Sequence, residues 1–353
     1  MRAGALDGPP GHRPLAPPRR SFGSLAGQGM GRAAGSRVGM HDWRIPRLTH
    51  YAYCRYPVRV GLQSIGVAMI VSSTTGKGAV PGARADLGRW ADRFEPMTFP
   101  VLAQTAAQLE SLRLVEEDVD AHTLSEVLAE DPLMSLKVLA HVASLRAGRE
   151  GGEPETLTGA LVMLGIAPFF RDFTAQTSVE DRLAGDPDAL AGFREVLRRS
   201  HRAARFAMAF AAHRMDHDAA VIHQAALLHD FAELLVWLYA PALALEIVRR
   251  QRLDPALRSA SAQRAVLGVE LSDLQHHLMV RWRLPALLAT ITNDHTQSAS
   301  AQAANVRLAI RVSRHSAAGW DNPALPDDYA EIAQLLQLGP VHVQRLLLDI
   351  DSI

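Results

Sequence analysis

From Ala83 to the C-terminus, apolar residues recur at intervals of three and four, and no stretch alternates apolar with polar side chains over the length of a strand. A chain with that period can cover its apolar stripes only by packing helix on helix, which predicts an all-α fold, a multi-helix bundle around one shared core. The apolar share, 48% of 353 residues, is ample for such a core.

Helix-breaking residues divide this pattern. Thr98 or Phe99-Pro100 opens a helix carrying Val101, Leu102, Ala106, Leu109 and Leu112. A short helix near 124–128 stops at Glu130-Asp131-Pro132, where Asp131 suits an N-cap and Pro132 the first position of the next helix. After a loop from Gly148 to Pro154, Leu157, Leu161 and Leu164 mark another helix, closed by Gly165. Gly185-Asp186-Pro187 is the clearest internal boundary and precedes a long helix over 188–215. Further helices are predicted at 217–229, 233–250, 255–267, 270–282, 285–294, 300–318, 327–336 and 340–350, the last starting at Pro340.

Residues 1–80 read differently, being rich in Gly, Pro, Arg and Ser. This stretch is expected to be disordered, or a leader upstream of the true start with Met69 as candidate initiator. Its Gly and Pro residues also oppose the amphipathic helix of a transit peptide. Residues 1–60 hold ten Arg against Asp7 and Asp42, so the neutral chain carries a compensating negative excess beyond them. That balance implies no basic surface for nucleic acid. The single Cys54 excludes an intrachain disulfide framework and a Cys-rich metal site, which suits a reducing cytoplasm. Ile65 to Val71 is far short of the roughly 20 apolar residues of a membrane helix.

The chemistry concentrates at His229-Asp230, an imidazole and a carboxylate delivered by the apolar run Ala225-Ala226-Leu227-Leu228. No Gly-x-Ser-x-Gly elbow, phosphate-binding Gly-x-x-x-x-Gly-Lys loop or dinucleotide Gly-x-Gly-x-x-Gly turn is present, which argues against a serine hydrolase, a kinase and a dehydrogenase. His213 and His217 flank a helix end and read as solvated polar residues. The adjacent His276 and His277 point about 100° apart on a helix and do not converge on one ion. Arg198-Arg199-Ser200-His201-Arg202 reads as a solvated helix face.

Three residue sets in fixed order resemble the HDOD family, the HD-related output domains of bacterial signalling proteins. The first is Phe99-Pro100-Val101-Leu102 with Asp131-Pro132-Leu133 and Lys137-Val138-Leu139; the second is Ala160-Leu161-Val162-Met163-Leu164-Gly165. The third joins His201, His229-Asp230, Leu267-Gly268 and Trp282-Arg283-Leu284-Pro285. The resemblance spans 94–295, divided into a helical part over 94–184 and an HD-like part over 188–295, with 300–353 as a helical extension.

In the catalytic relatives, clustered His and Asp hold divalent cations that activate water. The resemblance places His201 first and His229-Asp230 at the centre of such a set. Leu271 then stands where a further His is often found, and Arg311, Ser313 and Arg314 stand on the helix that offers a late Asp. Ala232-Glu233 replaces the usual Gly-Lys. No bound metal or cofactor is therefore expected, and His201, His229 and Asp230 are expected as a buried hydrogen-bonded cluster in which Asp230 orients both imidazoles. His295 is a second-tier ligand candidate, and more simply a helix-terminal cap. The implied function is a non-catalytic signal-transduction module acting by contact with other signalling proteins, or sensing a small ligand in the degenerate pocket. A nucleotide held through Arg311 or Arg314 is one such ligand. The alternative is a residual metal-dependent phosphohydrolase or phosphodiesterase acting on a nucleotide.

Overall fold

The computed structural model describes residues 83–148, 154–173, 175–293 and 300–352. The expectations for residues 1–80, including Met69 and Cys54, lie outside them. Seventeen α-helices are present among the described residues, and their only strand-like pairing is a single parallel bridge between Val101 and Ser178. All the helices lie within one compact unit, Thr75–Ile353. The class is all-α.

The first part comprises α1 (Ala83–Ala91), α2 (Ala103–Arg113), α3 (Ala121–Leu128), α4 (Pro132–Leu145), α5 (Leu157–Leu164), α6 (Ile166–Asp172) and α7 (Val179–Arg182). Asp131 explains how it is stitched together. One carboxylate oxygen accepts from the backbone N–H groups of Leu133 and Met134 at 2.9 and 3.0 Å, capping α4, and the other accepts from Leu102 N at 2.7 Å. Burial pushes this carboxyl above its usual range, against those hydrogen bonds. Two turns along α4, the buried Lys137 donates from Nζ to the Phe99 carbonyl at 2.8 Å and to Gln176 Oε1. The extended strip 99–102 is thus held from both ends, and Val101 bonds to the backbone on either side of Ser178. The helix predicted from Thr98 consequently starts only at Ala103, after a 3₁₀ turn, Pro96–Thr98.

α8 (Pro187–Arg214) is the axis of the second part; at 28 residues it is about 42 Å long. Asp186 caps it through Ala189 N, with Pro187 at its first turn. Against it pack α9 (Ala219–Leu227), α10 (Phe231–Tyr239), α11 (Pro241–Leu253), α15 (Ala301–His315), α16 (Leu325–Leu336) and α17 (Pro340–Asp351). α12 (Ser259–Leu267), α13 (Leu271–Arg281) and α14 (Ala286–Ile291) close the remaining side. The stretch Ala219–Tyr239 is long and apolar enough to cross a membrane, but it is mostly buried and broken by the turn at 228–230.

Two departures from the predicted helices have local causes. The single helix predicted over 233–250 is two, because Pro241 has no N–H to continue α10 and Ala240 turns to φ −146°. α6 and α7 were not predicted; at seven and four residues they are too short for a period to emerge. Glycine at 192 lets α10 approach α8 closely: a Cβ there would lie 2.3 Å from the Trp237 ring.

One apolar core runs through both parts. Phe99 meets Tyr239 and Trp282, and Trp282 meets Phe231, with ring centroids 5.7 to 6.1 Å apart. That string of rings ends on the residue after Asp230.

Candidate functional site: the His-Asp corner

α9 and α10 are separated by a single turn, Leu228-His229-Asp230, which projects two polar side chains from an apolar hairpin. Asp230 precedes α10 but its carboxylate caps no backbone N–H there. The carboxylate therefore serves side chains instead. His229 Nδ1 lies 3.1 Å from Asp230 Oδ1, with both side chains about 5% exposed.

Two guanidinium groups complete the corner from the neighbouring helices α8 and α15. Arg199 of α8 donates from Nε to Asp230 Oδ2 at 3.0 Å and from Nη2 to Glu233 Oε2 at 2.7 Å. Arg314 of α15 donates from Nη2 to Asp230 Oδ1 at 2.6 Å. Burial alone would raise the Asp230 pKa; Arg314 and Arg199 overcome it and hold the carboxyl well below the usual carboxylate range. Burial likewise works against the charge on Arg199, and Glu233 and Asp230 outweigh it, so its pKa is raised. The arrangement is an anion saturated by fixed cations.

A divalent ion does not fit this donor set. Both oxygens of Asp230 are engaged by guanidinium groups, and an entering cation would face two fixed positive charges at hydrogen-bond distance from its ligand. Among the described residues no three His, Cys, Asp or Glu side chains are grouped to hold a metal. Leu271 is buried at the start of α13, its N–H bonded to Gln263.

His201 corrects the expectation that Asp230 orients both imidazoles. Its Nε2 bonds the Glu130 carbonyl at 2.7 Å, tying α8 to the α3–α4 junction. His223 of α9 is close enough to feel both Glu130 and His201, and burial, the dominant influence, depresses its pKa. Arg311 is corrected as a phosphate contact at this corner. It pairs with the buried Asp328 at 2.6 Å and with Glu331 at 2.9 Å, while His315 Nδ1 lies 2.6 Å from the other Asp328 oxygen. That cluster fixes α15 to α16. His295 lies outside the described residues. His213 is exposed, as its position at a helix end suggested, and its Nε2 also lies 3.1 Å from the Leu336 carbonyl.

The basic run on α8 is only partly the solvated face predicted for it. Arg198 is solvated and pairs with Glu195, but Arg199 enters the corner and Arg202 is buried. Arg202 grips Asp351 at 2.7 and 3.0 Å, donates to Ser313 O and Ser316 Oγ, and lies over the Phe206 and Trp320 rings. The available sequence signal was phase: Arg199 and Arg202 flank the buried stripe of Val196, Ser200, Ala203 and Ala207.

Similar folds occur in solved structures. The MmoQ response regulator of Methylococcus capsulatus str. Bath superimposes with a TM-score of 0.55 at 19% identity, over 70% of this chain and 97% of that one. A virulence factor of Campylobacter jejuni subsp. jejuni gives a TM-score of 0.54 at 19% identity, over 72% of this chain and 90% of that one. At such identities the likeness establishes the fold. No curated protein matches the chain in sequence. The HDOD domain profile matches residues 99–298, from the strip held by Asp131 and Lys137 through the His-Asp corner, and the chain therefore belongs to the HDOD family.

Proposed function

We propose that this protein is a non-catalytic regulatory module of bacterial signal transduction, acting by contact with other signalling proteins. The carrying observation is the Arg199–Asp230–Arg314 arrangement: the carboxylate that would bind metal in a catalytic relative is neutralised by the chain's own arginines. A hydrolase of this type needs about three protein ligands or more and an open coordination position for water. Here the central carboxylate serves as the node joining α8, α10 and α15. HDOD membership and the response-regulator description of the similar M. capsulatus structure support a regulatory role.

The test is turnover of cyclic dinucleotides and bis-p-nitrophenyl phosphate by the purified full chain with Mg²⁺, Mn²⁺ or Fe²⁺. The wild type should be indistinguishable from Asp230→Ala. Metal-dependent turnover lost in both Asp230→Ala and His229→Ala would overturn the proposal in favour of a residual phosphodiesterase.

A further inference from the structure

α1 meets the C-terminal end of α12, where the indole N–H of the buried Trp90 donates to the Leu267 carbonyl at 3.1 Å. A cleft of about 270 Å³ opens beside this bond, lined by Trp90, Leu243, Val266 and Leu267 and by the charged side chains of Asp86, Arg89 and Arg93. Leu243 of α11 and Val266 of α12 pack on the core but are only partly buried. Partly covered apolar side chains on a concave wall favour a ligand whose apolar body covers the rest.

The charged residues decide what that ligand carries. Asp86 and Arg89, three residues apart on α1, pair with each other. Asp92, the next acid in the chain, is taken by Arg281 at 2.8 Å. Arg93 forms no ion pair with a described residue; its guanidinium lies over the Trp90 ring, 5.2 Å from the centroid. A guanidinium held over an aromatic face keeps its N–H edge free, and that edge can donate two parallel hydrogen bonds to one carboxylate. Two arginines against one aspartate leave the cleft a single positive charge. A carboxylate neutralises it, whereas a phosphate dianion exceeds it and faces Asp86.

We infer that this cleft binds a small carboxylic acid with an apolar body, the carboxylate on Arg93 and the body against Trp90, Leu243 and Val266. The volume falls just below the roughly 300–1,000 Å³ of pockets for drug-sized molecules, which suits an acid of about ten heavy atoms. The site stands on elements other than those that carry the His-Asp corner, so it adds a ligand to the proposed contact module and is tested independently of it.

The test titrates the purified full chain with octanoate by isothermal calorimetry, beside octylamine, octanol and acetate. Octanoate should bind saturably at one site. The amine meets Arg93 with like charge, the alcohol lacks the charge and acetate lacks the apolar body, so each should bind weaker by about tenfold or more. Arg93→Gln should weaken octanoate by about tenfold or more and, since Arg93 is exposed, should melt as wild type does. Val266→Phe, which fills the cleft, should abolish binding and reads the apolar wall separately from the charge. Arg252→Gln removes an exposed arginine about 14 Å along α11 from Leu243 and should bind as wild type does. Absence of saturable octanoate binding by wild type, equal binding by Arg93→Gln, or octanol bound as tightly as octanoate would each overturn the inference.

Discussion

Asp230 serves three partners with two oxygens: His229 and Arg314 at Oδ1, and Arg199 at Oδ2. Removing the carboxylate leaves the half-buried Arg199 paired with Glu233 alone and releases the more exposed Arg314 to solvent. Asp230→Ala should therefore lose about 1–3 kcal/mol in urea unfolding, and His229→Ala, where a hydrogen-bonding ring is removed, a similar amount. The pH dependence has a definite sign. Because the folded pKa is depressed below the ordinary 3.8, the stabilisation is fully present above that pH and is lost as pH falls through the folded value. The Asp230→Ala protein should lack this component of the acid limb. A variant as stable as wild type would show that the corner contributes nothing to the fold. The sequence made Asp230 conspicuous but not its partners: Arg199 is 31 residues away and Arg314 is 84, and nothing local assigns a guanidinium to one carboxylate rather than to solvent.

At the scale of elements, the legible features were those with a local cause. Asp131 before Pro132, Gly165 after Leu164 and Pro340 after Gly339 end or start helices through caps and missing donors, and the structure places boundaries at each. The break at Pro241 has the same cause, but continuous apolar periodicity on both sides concealed it. His201 was misplaced because its partner is the Glu130 carbonyl, and a backbone acceptor leaves no mark in a sequence. Gly192 gives the element-level prediction. Alanine has the higher helix propensity by about 1 kcal/mol, so Gly192→Ala in an unconstrained helix would stabilise. Here the added methyl meets the buried Trp237 ring, so the substitution should destabilise by about 1–3 kcal/mol. Combining it with Trp237→Leu should give a non-additive cycle, since the two residues share one contact. Additive losses would mean the helices separate without that contact.

For the whole molecule, the arginine-closed corner links residues matched by the family profile to a helix beyond them. Arg314 lies on α15, past residue 298, and Arg202 fastens α8 to Asp351 on the final helix. The extension thus supplies a cation to the corner and shares a hydrogen-bonded seam with α8, where Ser313 Oγ donates to the Arg199 carbonyl. The HDOD domain and its C-terminal extension are thereby joined at the corner by the chain's own charges. The most direct measurement is the melting temperature of chelator-treated protein as Mn²⁺ is added. Any ion that binds the native state must raise it by mass action. The account predicts no rise up to millimolar Mn²⁺ in either wild type or Asp230→Ala. A saturable rise of several degrees in wild type, abolished by Asp230→Ala, would contradict it.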